Sequence, residues 1–255
     1  MQISGRADLT GQVAIITGAA RGIGQASALA LAAEGADIVS ADLGPSDETV
    51  SRVARLGRRA LDVPTDVMRR DSVHRLVERV LAEFGRIDIL VNNAGTLARV
   101  GIEDTTDELW DRDVNTALRG TFYCIRAVLP HMKARGSGKI VNISSVSGKI
   151  GGVASRAAGS HRGRSGPAYA AAKAGVLALT KWVAKDVGRE GVCVNAIAPG
   201  GVETEMTRGF DYGVENIPIP RMGRPEDIAQ AVVFLASQMS NYVTGAVLDV
   251  NGGIV

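Results

Sequence analysis

The sequence predicts an α/β fold: a doubly wound, seven-stranded parallel sheet with helices on both faces, built as a single domain over residues 1–255. Three observations predict it. Short apolar runs alternate with longer stretches of helical periodicity along the whole chain, the pattern of a parallel sheet with helical crossovers. A glycine-rich turn joins the first apolar run to the first helical stretch. No linker or repeat divides the chain, and a hydrophobic content of 45% supports one full core.

The elements follow in order. Residues 12–16 (Gln-Val-Ala-Ile-Ile) read as a buried first strand. Thr17-Gly18-Ala19-Ala20-Arg21-Gly22-Ile23-Gly24 follows, and then an alanine-rich helix over 25–34. The next strands are read at 37–41, 60–63, 87–92, 139–143, 192–198 and 246–250. Helical periodicity covers 72–84, 107–132, 168–188 and 225–237. Residues 148–166 are rich in Gly, Ala, Ser and Arg and read as an inserted loop near 151–166. Ligands in such sheets sit beyond the carboxyl ends of the strands. Gly18, Asn92, Ser145 and Pro199 all lie just past strand ends, so they converge on one edge.

Two pieces of chemistry stand out at that edge. Strand, glycine turn and helix together present backbone N–H groups and a helix N-terminus to a pyrophosphate. The spacing here is G-x-x-x-G-x-G, not the commoner G-x-G-x-x-G. Asp42 closes the second strand twenty positions beyond Gly22, where an adenosine ribose would be gripped. The second piece is Tyr169 and Lys173, four apart on one helix face, with Ser145 upstream. A phenol titrates near pH ~10. An ammonium about 4 Å away favours the phenolate by roughly 4 kcal/mol at an effective dielectric of ~20. That is about three pKa units, so Lys173 is expected to bring Tyr169 near neutrality as a general acid/base.

These motifs resemble the short-chain dehydrogenase/reductase family, and the match runs nearly end to end. Thr17 to Gly24 resembles its TGxxxGxG turn, so Gly18, Arg21, Gly22, Ile23 and Gly24 are expected at the cofactor. Asp66-Val67 resembles the acid–apolar pair at adenine, and Asn92-Asn93-Ala94-Gly95 the NNAG segment, which adds Asn92, Ala94 and Gly95. Asn115, Ser145, Tyr169 and Lys173 fall where the family keeps its catalytic four. Of Ser144 and Ser145, the family pattern favours the second. Pro199-Gly200-Gly201-Val202-Glu203-Thr204 resembles the segment around the nicotinamide, with Thr204 and the Val202 backbone on the carboxamide. The similarity is strongest to the 3-oxoacyl-carrier-protein reductase-like branch, which also holds alcohol, sugar and steroid dehydrogenases. It implies a Rossmann-type fold, hydride transfer between a secondary alcohol and a ketone, and a homotetramer. Lys173 would also hold the ribose hydroxyls, and Asn115 would support a water leading from Lys173 to solvent. Asp42 favours NAD, with NADP the less favoured cofactor, since its carboxylate repels a 2′-phosphate. Arg21 supports the rival reading, an NADPH-dependent 3-oxoacyl thioester reductase. A third reading is a catalytically silent member that binds dinucleotide.

Two departures bear on specificity. Ser145 and Tyr169 are 24 positions apart, about twice the family's usual gap, and the extra residues carry Arg156, His161, Arg162 and Arg164. That insertion is expected to border the substrate entrance. The stretch 204–217, where the family has its substrate lid, is short. Net charge of +2 argues for neither nucleic acid nor a membrane surface as partner. The first ten residues lack the apolar core of a signal peptide, and no apolar run approaches the ~20 residues of a membrane span. Cys124 and Cys193 read as buried core thiols in a reducing compartment, so a cytoplasmic location is expected. His74, His131 and His161 show no ligand spacing, so no metal site is expected.

Overall fold

Strand residues point alternately to opposite faces, so a strand that is apolar throughout feeds two cores at once. The computed structural model of the chain, which describes residues 7–152 and 165–255, shows this directly. In β1 (Val13–Thr17), Val13 and Ile15 enter one cluster, and Ala14 and Ile16 the other. The first core gathers Ala28 and Leu31 of α1 (Gly22–Ala33) and Ile228 and Val232 of α8 (Pro225–Ala236). The second packs Leu76 and Val80 of α3 (Arg70–Phe84), Ile125 and Val128 of α5 (Gly120–Arg135), and Val183 and Val187 of α7 (Pro167–Val187).

Between these layers lies one seven-stranded sheet in the order β3-β2-β1-β4-β5-β6-β7, parallel throughout. Its other strands are β2 (Asp37–Asp42), β3 (Ala60–Pro64), β4 (Ile89–Asn92), β5 (Gly138–Ile143), β6 (Val192–Pro199) and β7 (Val247–Val250). The chain reverses its direction of travel across the sheet between β1 and β4. A doubly wound sheet opens its ligand crevice at such a switch point, beyond the strand C-termini.

Three details differ from the sequence reading. A helix not expected there, α2 (Asp47–Arg55), follows β2; it buries only Thr49 and Val53, too small an apolar face to show in periodicity. The helix expected at 107–132 is broken. It forms α4 (Asp107–Val114), a π-helical turn over Asn115–Arg119, and then α5, which runs on to Arg135. Two close packings accompany the break: a Cβ on Gly120 would lie 2.8 Å from Val67 Cγ2, and one on Gly175 of α7 would lie 2.7 Å from the Leu118 side chain. Cys124 is buried as expected, but Cys193 is only partly so, because it faces the rim where its Sγ meets the Asn241 carbonyl at 3.8 Å. The insertion with Arg156, His161, Arg162 and Arg164 lies outside the described residues. Among the described residues no helix is long and apolar enough to cross a membrane, and no cluster of metal-ligating side chains occurs.

Candidate active site

The glycine turn is tied to the end of β4 by four hydrogen bonds. Thr17, the last residue of β1, accepts the N–H groups of Asn93 and Ala94 on its Oγ1, at 3.0 and 3.1 Å. Asn93 Nδ2 donates to the carbonyls of Thr17 and Gly18, at 3.0 and 2.9 Å. Space is tight here. A Cβ on Gly24 would lie 2.0 Å from the Gly18 oxygen, and Gly18 has φ +66. The turn's carbonyls are spoken for: Thr49 Oγ1 donates to Ala19, and Gln25 Nε2 to Ala20. Asp42 Oδ2, at the end of β2, accepts the Ala20 N–H at 2.9 Å. By contrast, α1 begins at Arg21 and Gly22 without a side-chain cap. A helix start leaves N–H groups without intrahelical partners, and here they face a large cleft. The turn and the helix start therefore fit a pyrophosphate.

That cleft has a volume of about 1820 Å³ and runs over the strand ends from Asp42 to Tyr169. Gly18, Arg21, Gly22, Ile23, Asp66, Val67, Ala94 and Gly95 line it, as do Pro199, Gly200, Val202 and Thr204 from the end of β6 onward. Asp66 also caps its own turn, its Oδ1 accepting the Met68 N–H at 2.9 Å. Asn92 and Gly24 do not reach the cleft surface. Asn92 points into the interior, where its Nδ2 donates to Asn142 Oδ1 at 2.8 Å; Asn142 in turn donates to Thr180 of α7 at 2.9 Å. Asn93, its neighbour, is the residue that meets the cleft. Asn115 opens the π-helical turn and also lies off the cleft wall. Its carbonyl accepts the Gly120 N–H.

At the far end stand Ser145, Tyr169 and Lys173. Ser144 and Ser145 follow β5 and face opposite ways. Ser144 Oγ donates to the Lys173 carbonyl at 2.8 Å and so pins α7, whereas Ser145 is turned to the Tyr169 phenol and favours its ionised form. Ser145 Oγ also accepts the Ser147 N–H at 3.1 Å. Lys173 is 4% exposed and its Nζ donates to the Ile143 carbonyl at 2.7 Å. Burial lowers it from 10.5 to about 8. Its ammonium lies 5.6 Å from the Tyr169 ring centroid.

The expectation that Lys173 draws the Tyr169 phenol down is not met in this geometry. Burial pushes the phenol up, while Ser145 and the Arg99 charge pull the other way. Lys173 is turned onto a backbone carbonyl and is itself costly to charge, so its effect on the phenol is small.

Sequence reading missed four contributors. Thr17 and Asn93 form the tie between the turns. Asp113 is wholly buried and accepts from Thr96 Oγ1 at 2.7 Å and Ala98 N–H at 2.6 Å, which fixes the loop after β4. Arg21 and Glu205 form an ion pair across the cleft mouth. Arg99 meets Phe210 and Tyr212 from a segment more than a hundred residues away. Thr17 and Asn93 stand in motifs that the sequence does show, the glycine turn and the doubled Asn, although the tie between them is not legible there; the others have no local signal.

A depressed lysine makes a pH prediction. Between pH about 8 and 10.5 the unfolded chain holds a proton at Lys173 that the folded chain has released. Stability from this residue therefore rises with pH through that window. At ~1.4 kcal/mol per pKa unit, wild type should gain about 2 kcal/mol relative to Lys173→Met between pH 7.5 and 9.5. Urea unfolding of both ligand-free proteins at the two pH values measures it. Parallel stability curves would show that Lys173 titrates normally.

Comparison with known proteins follows the same lines. A family model described as enoyl-(acyl carrier protein) reductase matches residues 18–255. The 3-oxoacyl-(acyl-carrier-protein) reductase FabG of Thermotoga maritima is 39% identical over 254 residues, covering 97% of this chain and 99% of that protein. Cis-4-hydroxycyclohexanecarboxylate dehydrogenase of Sinomonas cyclohexanicum is 41% identical over 249 residues, 95% of this chain and 96% of the relative. Carveol dehydrogenase from Mycobacterium avium, solved in complex with NAD, superposes with a TM-score of 0.85 at 31% identity, covering 97% of this chain and 98% of that one. Likeness of this extent, in sequence and in fold and over nearly the full length of both partners, makes the chain a member of the short-chain dehydrogenase/reductase family of oxidoreductases.

Proposed function

We propose that the protein interconverts a secondary alcohol and a ketone by hydride transfer with NAD(H), with Tyr169 as general acid/base. The observation that carries this reading is the grouping of Ser145, Tyr169 and Lys173 on the wall of the cleft that the glycine turn begins. When bound, the nicotinamide accepts or supplies the hydride. Everything else is the chain's own work. The α1 N-terminus and the glycine turn hold the pyrophosphate, and Asp42 accepts from the ribose hydroxyls. Gly95, Pro199, Gly200 and Thr204 line the nicotinamide end, with Lys173 beneath. Ser145 donates to the substrate oxygen and stabilises charge that develops there. Tyr169 gives its proton to that oxygen in reduction and takes it back in oxidation. Burial favours the protonated phenol, the form reduction requires. Asn115 at the π-helical turn is proposed to support a water path from Lys173 to solvent.

Several features support NAD over NADP. Asp42 stands at the ribose end, and residues 41–46 (Ala-Asp-Leu-Gly-Pro-Ser) contain no lysine or arginine to meet a 2′-phosphate. Arg21, the feature that favoured the NADPH-dependent thioester reductase, is engaged with Glu205. Presence of Ser145, Tyr169 and Lys173 in one group weighs against the silent reading. The free thiols of Cys124 and Cys193 support a reducing, cytoplasmic setting. We also propose a homotetramer. Trp110 of α4, Phe122 of α5 and Trp182 of α7 are 40%, 41% and 66% exposed, apolar surface that soluble proteins bury at contacts between subunits.

Tyr169→Phe should lower kcat by ~10²-fold or more while NADH affinity stays within about twofold. Steady-state rates with NADH fluorescence titration test this, and a wild-type kcat would remove Tyr169 from the chemistry. The ratio of kcat/KM for NAD over NADP should exceed one and fall about tenfold in Asp42→Ala, a change of ~1.4 kcal/mol; an NADP preference in the wild type would reverse the cofactor assignment. Light scattering at micromolar protein should give four times the monomer mass, and a monomer would defeat the assembly proposal.

A further inference from the structure

Arg21 is the one basic residue of the glycine turn Thr17 to Gly24, and it stands between two acids. Asp42, which closes β2, holds the N–H of Ala20, the residue just before it, at 2.9 Å. Glu205, which follows β6, pairs with its guanidinium. Asp42 spends its oxygens on backbone groups, the second lying 3.4 Å from the Gly44 nitrogen. The arginine side chain therefore leaves the β2 side of the cleft and is engaged from the β6 side.

The two ends of this pair are positioned before their side chains meet. Gly22, next in the turn, has φ +58, and a Cβ built on it would lie 3.4 Å from Thr204 Cγ2. The turn and the segment carrying Glu205 are thus in contact at the residues beside the pair. That segment is itself held. Thr207 Oγ1 accepts the Thr204 N–H at 3.0 Å and donates to the Val202 carbonyl at 2.6 Å. The Glu203 N–H donates to the Gly223 carbonyl at 2.8 Å. On the other side, the Thr17–Asn93 bonds fix the turn from which Arg21 departs.

A guanidinium near the adenosine end accommodates a ribose 2′-phosphate through paired, charge-assisted N–H···O bonds. Residues 41–46 contain no lysine or arginine, which leaves Arg21 as the cation of the turn for that duty. Glu205 competes for it. The side chains are 76% and 52% exposed, so water and salt screen the pair, and the competition is worth a few-fold in affinity rather than orders of magnitude.

We infer that Glu205 is a cofactor-specificity residue: by engaging Arg21 from the β6 side it withholds that guanidinium from a 2′-phosphate and adds to the NAD preference assigned to Asp42. This rests on the cleft holding a dinucleotide. Asp42 acts by repelling the phosphate, whereas Glu205 is a positioning residue that acts through Arg21.

Adenosine 2′,5′-bisphosphate and adenosine 5′-monophosphate probe the adenosine end without any chemistry. In calorimetry at low ionic strength, Glu205→Gln should tighten the bisphosphate about fivefold, a change of ~1 kcal/mol, and leave the monophosphate within about twofold. The gain should vanish when Arg21→Ala is combined with it, as a double-mutant cycle requires of a residue acting through Arg21. The ratio of kcat/KM for NADP over NAD should rise by a similar factor in Glu205→Gln, mainly through KM. A gain that survives in the Arg21→Ala background would make Glu205 a direct repulsive charge and overturn the inference. Equal changes for both nucleotides, or no change, would overturn it too, and all three results leave the dinucleotide site standing. Failure of both nucleotides to bind any of the folded proteins would remove the dinucleotide site itself, and the inference with it.

Discussion

Everything at the cleft depends on the stitch between the first and fourth strands. Four hydrogen bonds join Thr17 and Gly18 of the glycine turn to Asn93 and Ala94 after β4. Those bonds satisfy backbone groups that would otherwise be stranded at the strand ends, where sheet pairing stops. They also fix where α1 begins, and therefore where its uncapped N–H groups point. Gly24 lies so close to the Gly18 carbonyl that a single methyl there would force turn and helix apart. The anion-holding geometry follows from these constraints before any ligand arrives.

A second polar chain positions α7. Asn92, Asn142 and Thr180 link β4, β5 and α7 through the interior, and Thr180 returns its proton to the Val176 carbonyl at 2.7 Å. Ser144 then fastens the Lys173 carbonyl from the end of β5. The polar chain is paired along its length except at Asn92 Oδ1, which is buried with no partner among the described residues. These bonds set the height of α7 over the sheet, and so bring Tyr169 beside Ser145. The two adjacent serines divide the labour, one holding the helix and one facing the cleft.

The electrostatics of the site come from burial more than from the lysine–tyrosine spacing. An i, i+4 pair fixes which residues share a helix face, but not where a long side chain ends. Lys173 turns its ammonium to the Ile143 carbonyl, and both groups of the pair are shifted toward their neutral forms. Desolvation outweighs attraction when opposite partners do not touch. The opposing influence on Tyr169 comes from Ser145 and Arg99, which reach it from different strands' ends.

The sequence alone determined the class of fold, the convergence of the motifs at one edge of the sheet, and the family. Apolar alternation and glycine spacing are local properties, and Thr17 to Gly24 or Tyr169 to Lys173 are legible without neighbours. Most residues it marked line the cleft, since strand ends converge in any doubly wound sheet. What it could not give was every feature made by residues distant in the chain. The π-helical turn at Asn115, the inward aim of Asn92 against the outward aim of Asn93, and the engagement of Arg21 by Glu205 all depend on tertiary neighbours. So does the clamp on Arg99, whose partners Phe210 and Tyr212 lie on the segment between β6 and α8. Periodicity reports which face of an element is apolar; only packing decides which charge meets which partner, because that contact is set by loops whose paths no local pattern encodes.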